Sequence, residues 1–164
     1  MTSCDDLINE GIRLYESSKF DEAREKFDEA YNQCQDVKAL LWRGKAEVMG
    51  GKLVEAMTTL KSVIGSDNRE VSADAEFHLA LAQYLYSFFL TDQERGPALD
   101  EAFYHAFQAE KRFWGINEEN MLISNWLKCV ILAEAGEIEE ARSAKDNKMA
   151  APLLNLWWAI DLLK

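Results

Sequence analysis

The chain has 164 residues, 48% of them apolar and 29% charged, with a net charge of −11. That length holds one core of ordinary size, and the composition excludes a disordered chain. The surplus of negative charge repels a phosphate backbone and sets nucleic acid aside as a partner.

Two prolines and eight glycines leave few breakers, so helix is predicted almost throughout. The opening MTSCDDLINEG has no basic start and no apolar stretch, so it is no signal peptide. The longest apolar run, LALAQYLYSFFL, is interrupted by Gln83 and is too short to span a bilayer. Cys4, Cys34 and Cys129 are odd in number and far apart. They fit no zinc spacing and argue against a disulfide framework, and a reduced, cytoplasmic location is expected.

In chain order, Ser3, with Asp6 three residues on, caps a first helix that reaches about Ser17. SSKF breaks it, and a second helix runs to about Gln35. VKALLWRGKAEVM is a third helix, Gly50-Gly51 a turn and KLVEAMTTLKSVI a fourth helix ended by GSDN. REVSADAEFHLALAQYLYSFFL predicts a helix of roughly 20 residues, longer than the earlier ones. TDQERGP is expected to be a loop, with Pro97 in the first turn of the helix ALDEAFYHAFQAEKRF. After the loop WGINEEN, MLISNWLKCVILAEAGEIEEARSA reads as another pair with Gly136 at its turn, cut short near Asp146. APLLNLWWAIDLLK closes the chain as a last helix over 150–163.

The doubled FDEA of Phe20–Ala23 and Phe27–Ala30 suggests a heptad, but it dies after Tyr31. The period that persists is 33 residues: Leu7 returns as Leu40, Gly11 as Gly44, Phe20 as Leu53, Ala23 as Ala56, Phe27 as Leu60 and Ala30 as Val63. Ala23 and Ala30 share one helix face with Phe27 between them. Small residues there, and Gly11 opposite, let paired helices approach while Phe27 fills the gap. A pair of this kind cannot bury its apolar face alone and must stack on a neighbour. The units fall at about 3–36, 37–67, 70–113 and 118–146.

A glycine in the first helix, a turn, an aromatic, alanine, phenylalanine and alanine resemble the tetratricopeptide-repeat (TPR) signature. Gly11, Phe20, Ala23, Phe27 and Ala30 carry it in the first unit; Gly44, Leu53, Ala56, Leu60 and Val63 carry it in the second. The later units depart from it, and the usual closing proline is absent, with Gln35 near its place. The resemblance implies an all-α, right-handed superhelical array of antiparallel helix pairs (an α-solenoid), about four pairs plus the C-terminal helix, in one domain over 1–164. It further implies that the first helix of each unit lines a concave, partner-binding groove.

Helical geometry selects the groove residues: Ile8, Asn9, Ile12, Tyr15 and Glu16, then Lys38, Leu41, Trp42, Lys45, Val48 and Met49, then His78 and Leu85. Members of the family that hold acidic chaperone tails use a clamp of Lys, Asn and Arg. Its places here hold Ile8, Ile12 and Trp42, and no Lys or Arg lies between Glu70 and Phe89, so that ligand is rejected. An apolar, aromatic groove with Lys38 and Lys45 as a positive pair suits a protein segment with apolar anchors. The alternative is that these side chains are core.

No catalytic motif appears. GGK at Gly50–Lys52 lacks the flanking residues of a phosphate loop, and Glu101 with His105 offers too few ligands for a metal and reads as a helix-surface pair. No enzyme, cofactor or metal is expected. In the last helix, Leu153, Leu154, Leu156, Trp157, Trp158, Ile160, Leu162 and Leu163 surround the axis, so it must be buried on more than one side. Three fates stay open: the chain's own groove, a homodimer, or a partner. The leading expectation is a non-enzymatic adaptor, scaffold or co-chaperone. Its runner-up is a structural subunit of a larger complex. A narrower version resembles the small acidic repeat chaperones of type III secretion in length and charge.

Overall fold

In a computed structural model, which describes residues 2–136, the chain forms seven α-helices, and there is no strand among the described residues. They are α1 (Cys4–Glu16), α2 (Phe20–Cys34), α3 (Val37–Met49), α4 (Leu53–Val63), α5 (Arg69–Ser87), α6 (Asp92–Phe113) and α7 (Glu118–Glu134). The expected second helix of the fourth unit, with Ala141, and the helix over 150–163 with Leu153, Leu156, Trp157, Trp158 and Ile160 lie outside the described residues.

Side-chain oxygens start four of these helices by accepting from main-chain N–H groups that have no partner within the helix. Ser3 accepts from Asp6 at 3.1 Å, Asp36 from Lys38 at 2.9 Å, Asn68 from Val71 at 3.1 Å and Asn117 from Asn120 at 3.0 Å. The turns inside the first two units are built alike, 33 residues apart. Ser18 (φ 62°) and Gly51 (φ 81°) are left-handed, and the next residue donates back into the helix, Lys19 to Leu14 and Lys52 to Glu47, each at 2.8 Å.

Successive helices pack antiparallel, and α1, α3, α5 and α7 also touch in that order, whereas no comparable contact joins α2 to α4 or α4 to α6. Helices that touch both their sequence neighbours and one another lie on the inner side of a curved array; the even-numbered ones splay on the outer side. Ala23, Phe27, Ala30, Ala56, Leu60, Val63, Ala102, Ala106 and Ala109 are all fully buried. A β-carbon added at Gly11 would collide with the Phe27 ring, and one at Gly44 would lie 2.5 Å from Leu60 Cδ2. The glycines are therefore where helices of a pair come closest.

Three expectations are corrected. TDQERGP is helix, not loop: α6 starts at Asp92, because Thr91 and Glu94 form a capping box in which the Glu94 carboxylate accepts from the Thr91 N–H (3.3 Å) and hydroxyl (2.7 Å). Pro97 consequently sits inside α6 rather than in its first turn. The cysteines are not all unpaired: Cys4 at the start of α1 and Cys34 at the end of α2 form a disulfide with Cα atoms 6.4 Å apart, because the antiparallel pair brings those two ends together. Finally, His105 is no surface residue. It is buried, with Nδ1 2.5 Å from Glu76 Oε2 on α5, while Glu101 stands 4.0 Å from Nε2.

Candidate functional site

The inner helices bring together residues from three units. Tyr15, near the end of α1, meets Trp42 of α3 edge-on, with ring centroids 5.4 Å apart. Trp42 stacks on Phe27 at 5.8 Å, which fixes its plane to the core of the first unit. One turn after Trp42, Lys45 places Nζ 3.8 Å from the indole centroid and 3.0 Å from Asp74 Oδ2 on α5. One turn after Asp74, His78 sets Nδ1 2.8 Å from Asp74 Oδ1. Tyr15, Trp42, Lys45, Asp74 and His78 thus run across the inner face as one connected row. Beside it lies a cleft of about 270 Å³ between α3 and the start of α5, lined by Lys38, Leu41, Trp42, Asn68, Glu70, Val71 and Asp74.

The electrostatics follow from this crowding. Burial alone would raise the Asp74 carboxyl, but the charges and hydrogen bonds of His78 and Lys45 outweigh it and hold the group well below the usual carboxylate range. Burial, then the Asp74 charge, push the Tyr15 phenol up to about 12, so it is a neutral hydroxyl at any physiological pH.

Of the residues predicted for the groove, Tyr15, Trp42, Lys45 and His78 join this row, each partly covered. Asn9 and Lys38 are exposed, and Met49 is half exposed at the end of α3. Ile12 and Leu85 are half-buried. Ile8, Leu41 and Val48 are buried between helices, so their side chains serve packing. Lys45 is not a free positive charge, since Asp74 neutralises it. Asp74 is the residue the sequence reading missed. Its spacing of four from His78 on one helix was a readable signal, but its approach to Lys45 depends on how the longer third unit stacks on the second.

Nothing in this row is a nucleophile with an adjacent base. Among the described residues no group of three or more His, Cys, Asp or Glu could hold a metal ion, and no helix is long and apolar enough to cross a membrane. The arrangement offers a fixed aromatic surface flanked by a closed ion pair, which suits recognition by contact.

No family model and no curated protein matches this chain. Among solved structures, it is similar to a thermophilic TPR protein of Thermus thermophilus, with a TM-score of 0.79 and 19% identity over 98% of this chain and 79% of that one. At that identity the likeness is one of fold. With the seven helices, their pairwise packing and the buried Gly–Ala–Phe/Leu contacts, it shows that this chain has the fold of a TPR-like α-solenoid.

Proposed function

We propose that this chain is a non-enzymatic protein–protein interaction module, an adaptor, scaffold or co-chaperone of the cytoplasm. It would bind a peptide or helix of a partner on the inner face at Tyr15, Trp42, Lys38, Met49 and His78. The observation that carries this reading is the row from Tyr15 to His78, which sets an indole and a phenol, the side chains that dominate interface energetics, beside a cleft. The partner chemistry it favours is an apolar or aromatic anchor. With Lys45 already paired to Asp74, Lys38, which lines the cleft, is the lysine placed to meet an acidic flank. In a reducing cytoplasm Cys4 and Cys34 would be a dithiol, and α1 would stay on α2 through the Phe27 contacts.

Quantitative copurification from the source cell, with Trp42→Ala and Tyr15→Ala beside the parent chain, tests the assignment. A partner recovered with the parent and lost from both variants supports it. A partner set indifferent to Tyr15, Trp42 and Lys45 sinks it. The apolar sequence over 150–163, expected to be helical, favours a second reading, in which Leu153, Leu156, Trp157, Trp158 and Ile160 make a homodimer or a permanent subunit interface. Light scattering across a concentration series separates the two, since a strict monomer removes the dimer.

A further inference from the structure

A second cleft lies on the opposite, outer side of the array. Because α4 and α6 both pack on α5 but scarcely on each other, a space of about 180 Å³ opens between them. Its apolar walls include Met57 of α4 and Leu90 and Tyr86 from the α5 end, with Lys61 on one rim and Glu101 on the other. Gln83 of α5 also lines it. Gln83 is 5% exposed, and its carboxamide oxygen is buried without a hydrogen-bond partner among the described residues.

A buried amide oxygen left unpaired is unfavourable, and folded chains rarely keep one without cause. An apolar residue at position 83 would have packed as well without that penalty. The carboxamide has the same donor and acceptor pair as a peptide unit, and its last torsion is soft, so it can turn either atom toward the cleft. A helical ligand could reach it only through a side chain or a free end, because main-chain groups inside a helix already bond one another. An extended segment could. The volume is below that of a drug-sized pocket and suits one side chain of leucine or methionine size. Lys61 and Glu101, opposite in charge across the opening, favour an acidic residue on the α4 side and a basic one on the α6 side.

We propose that the cleft between α4 and α6 is a separate binding site for an extended segment of another protein, seating one apolar side chain while the adjoining main-chain amide pairs with Gln83. This site does not depend on the inner face.

The test is a titration of the nitrogen-labelled full chain with N-acetyl-leucine N′-methylamide, followed by NMR at the Gln83 side-chain amide and, in parent and variant alike, at the main-chain amides of Met57, Tyr86 and Leu90 around the cleft. N-acetyl-glycine N′-methylamide is the control. A saturable shift at millimolar probe, absent with the glycine compound, is expected. Gln83→Met keeps the shape and removes the amide; it should weaken the probe by about fivefold while leaving the melting temperature equal or higher. Three results would each overturn the proposal: no saturable shift, equal affinity in Gln83→Met, or proximity of the Gln83 amide to residues 137–164 in the free chain, which would make the occupant the chain itself.

Discussion

Lys45 reaches from α3 to Asp74 on α5 with its ammonium 3.0 Å from the carboxylate and 3.8 Å from the centre of the Trp42 ring. One side chain therefore closes an ion pair between two units and covers an indole. Asp74 is held below its ordinary value of 3.8. A depressed folded-state pKa means that the native chain binds fewer protons than the unfolded one. The stability it contributes is full above that ordinary value and is lost as pH falls below it. Asp74→Asn should lower stability by about 2 kcal/mol at pH 7. Its disadvantage should shrink steadily below about pH 4, where the parent loses the same term. Urea unfolding at pH 7, 5 and 3 checks this; an equal gap at all three would refute the role given to Asp74.

The contact of Gly44 with Leu60 makes a different demand. In an exposed helix interior, Gly→Ala gains about 1 kcal/mol. Here the new methyl would lie 2.5 Å from a fully buried leucine, and overpacking costs about 1–3 kcal/mol. Gly44→Ala should therefore lower the melting temperature. Added to Leu60→Ala it should cost far less than alone, because the cavity accepts the methyl. Strict additivity would show that the two helices do not close at this point.

These contacts also show what was legible in the sequence. Gly11, Ala23, Phe27 and their partners 33 residues on were readable because each helix pair repeats one local contact, and a repeated local contact leaves a period. The bounds of α3 and α4 follow from the same cause. The start of α6 is not legible from Pro97, which looks like a boundary in sequence, because the Thr91–Glu94 cap six residues upstream decides it. Asp74, Glu76 and Gln83 were not singled out because their environments come from other helices. Glu76 faces His105 29 residues away, a separation that no period announces. The inner-face row was half legible: the first helices named Tyr15, Trp42, Lys45 and His78, but not the carboxylate that joins the last two.

Ser18 occupies the place that Gly51 holds in the next unit, both left-handed. A residue with a β-carbon is strained there, whereas glycine is not. Ser18→Gly should raise stability by about 0.5–1 kcal/mol, offset in part by the greater freedom of the unfolded chain. Differential scanning calorimetry would register a melting temperature a few degrees higher. A fall would mean that the serine hydroxyl contributes more to the turn than its strain removes.

The Cys4–Cys34 bond closes a segment with a sequence separation of 30. Cross-linking a loop of that size is worth roughly 3–4 kcal/mol through the unfolded chain. Cys129 is buried and free, and burial raises its thiol to about 11. The oxidised chain should show one thiol on denaturation and the reduced chain three. The reduced chain should unfold at lower denaturant. Three thiols in chain purified under air, with no effect of reductant, would remove the disulfide as a structural element.

Glu76 is 3% exposed and draws together His105 (2.5 Å) and Arg112 (3.5 Å), both on α6, while Arg112 also hydrogen-bonds Ser72 of α5. It is thus the point through which α5 holds the longer helix that follows it. Replacing it with alanine leaves the His105 ring and the Arg112 guanidinium without their shared partner, and breaking a buried pair from one side costs about 3–5 kcal/mol. Glu76→Gln keeps an acceptor oxygen for one of the two partners and should cost about half as much. Glu76→Ala combined with His105→Ala should be clearly less than additive, since the pair acts as a unit. None of these changes touches α1 or α3, so the Tyr15–Trp42 contact should keep its near-ultraviolet signature in Glu76→Gln. A variant that lost that signature would show the inner face to depend on the α5–α6 junction rather than on its own three helices.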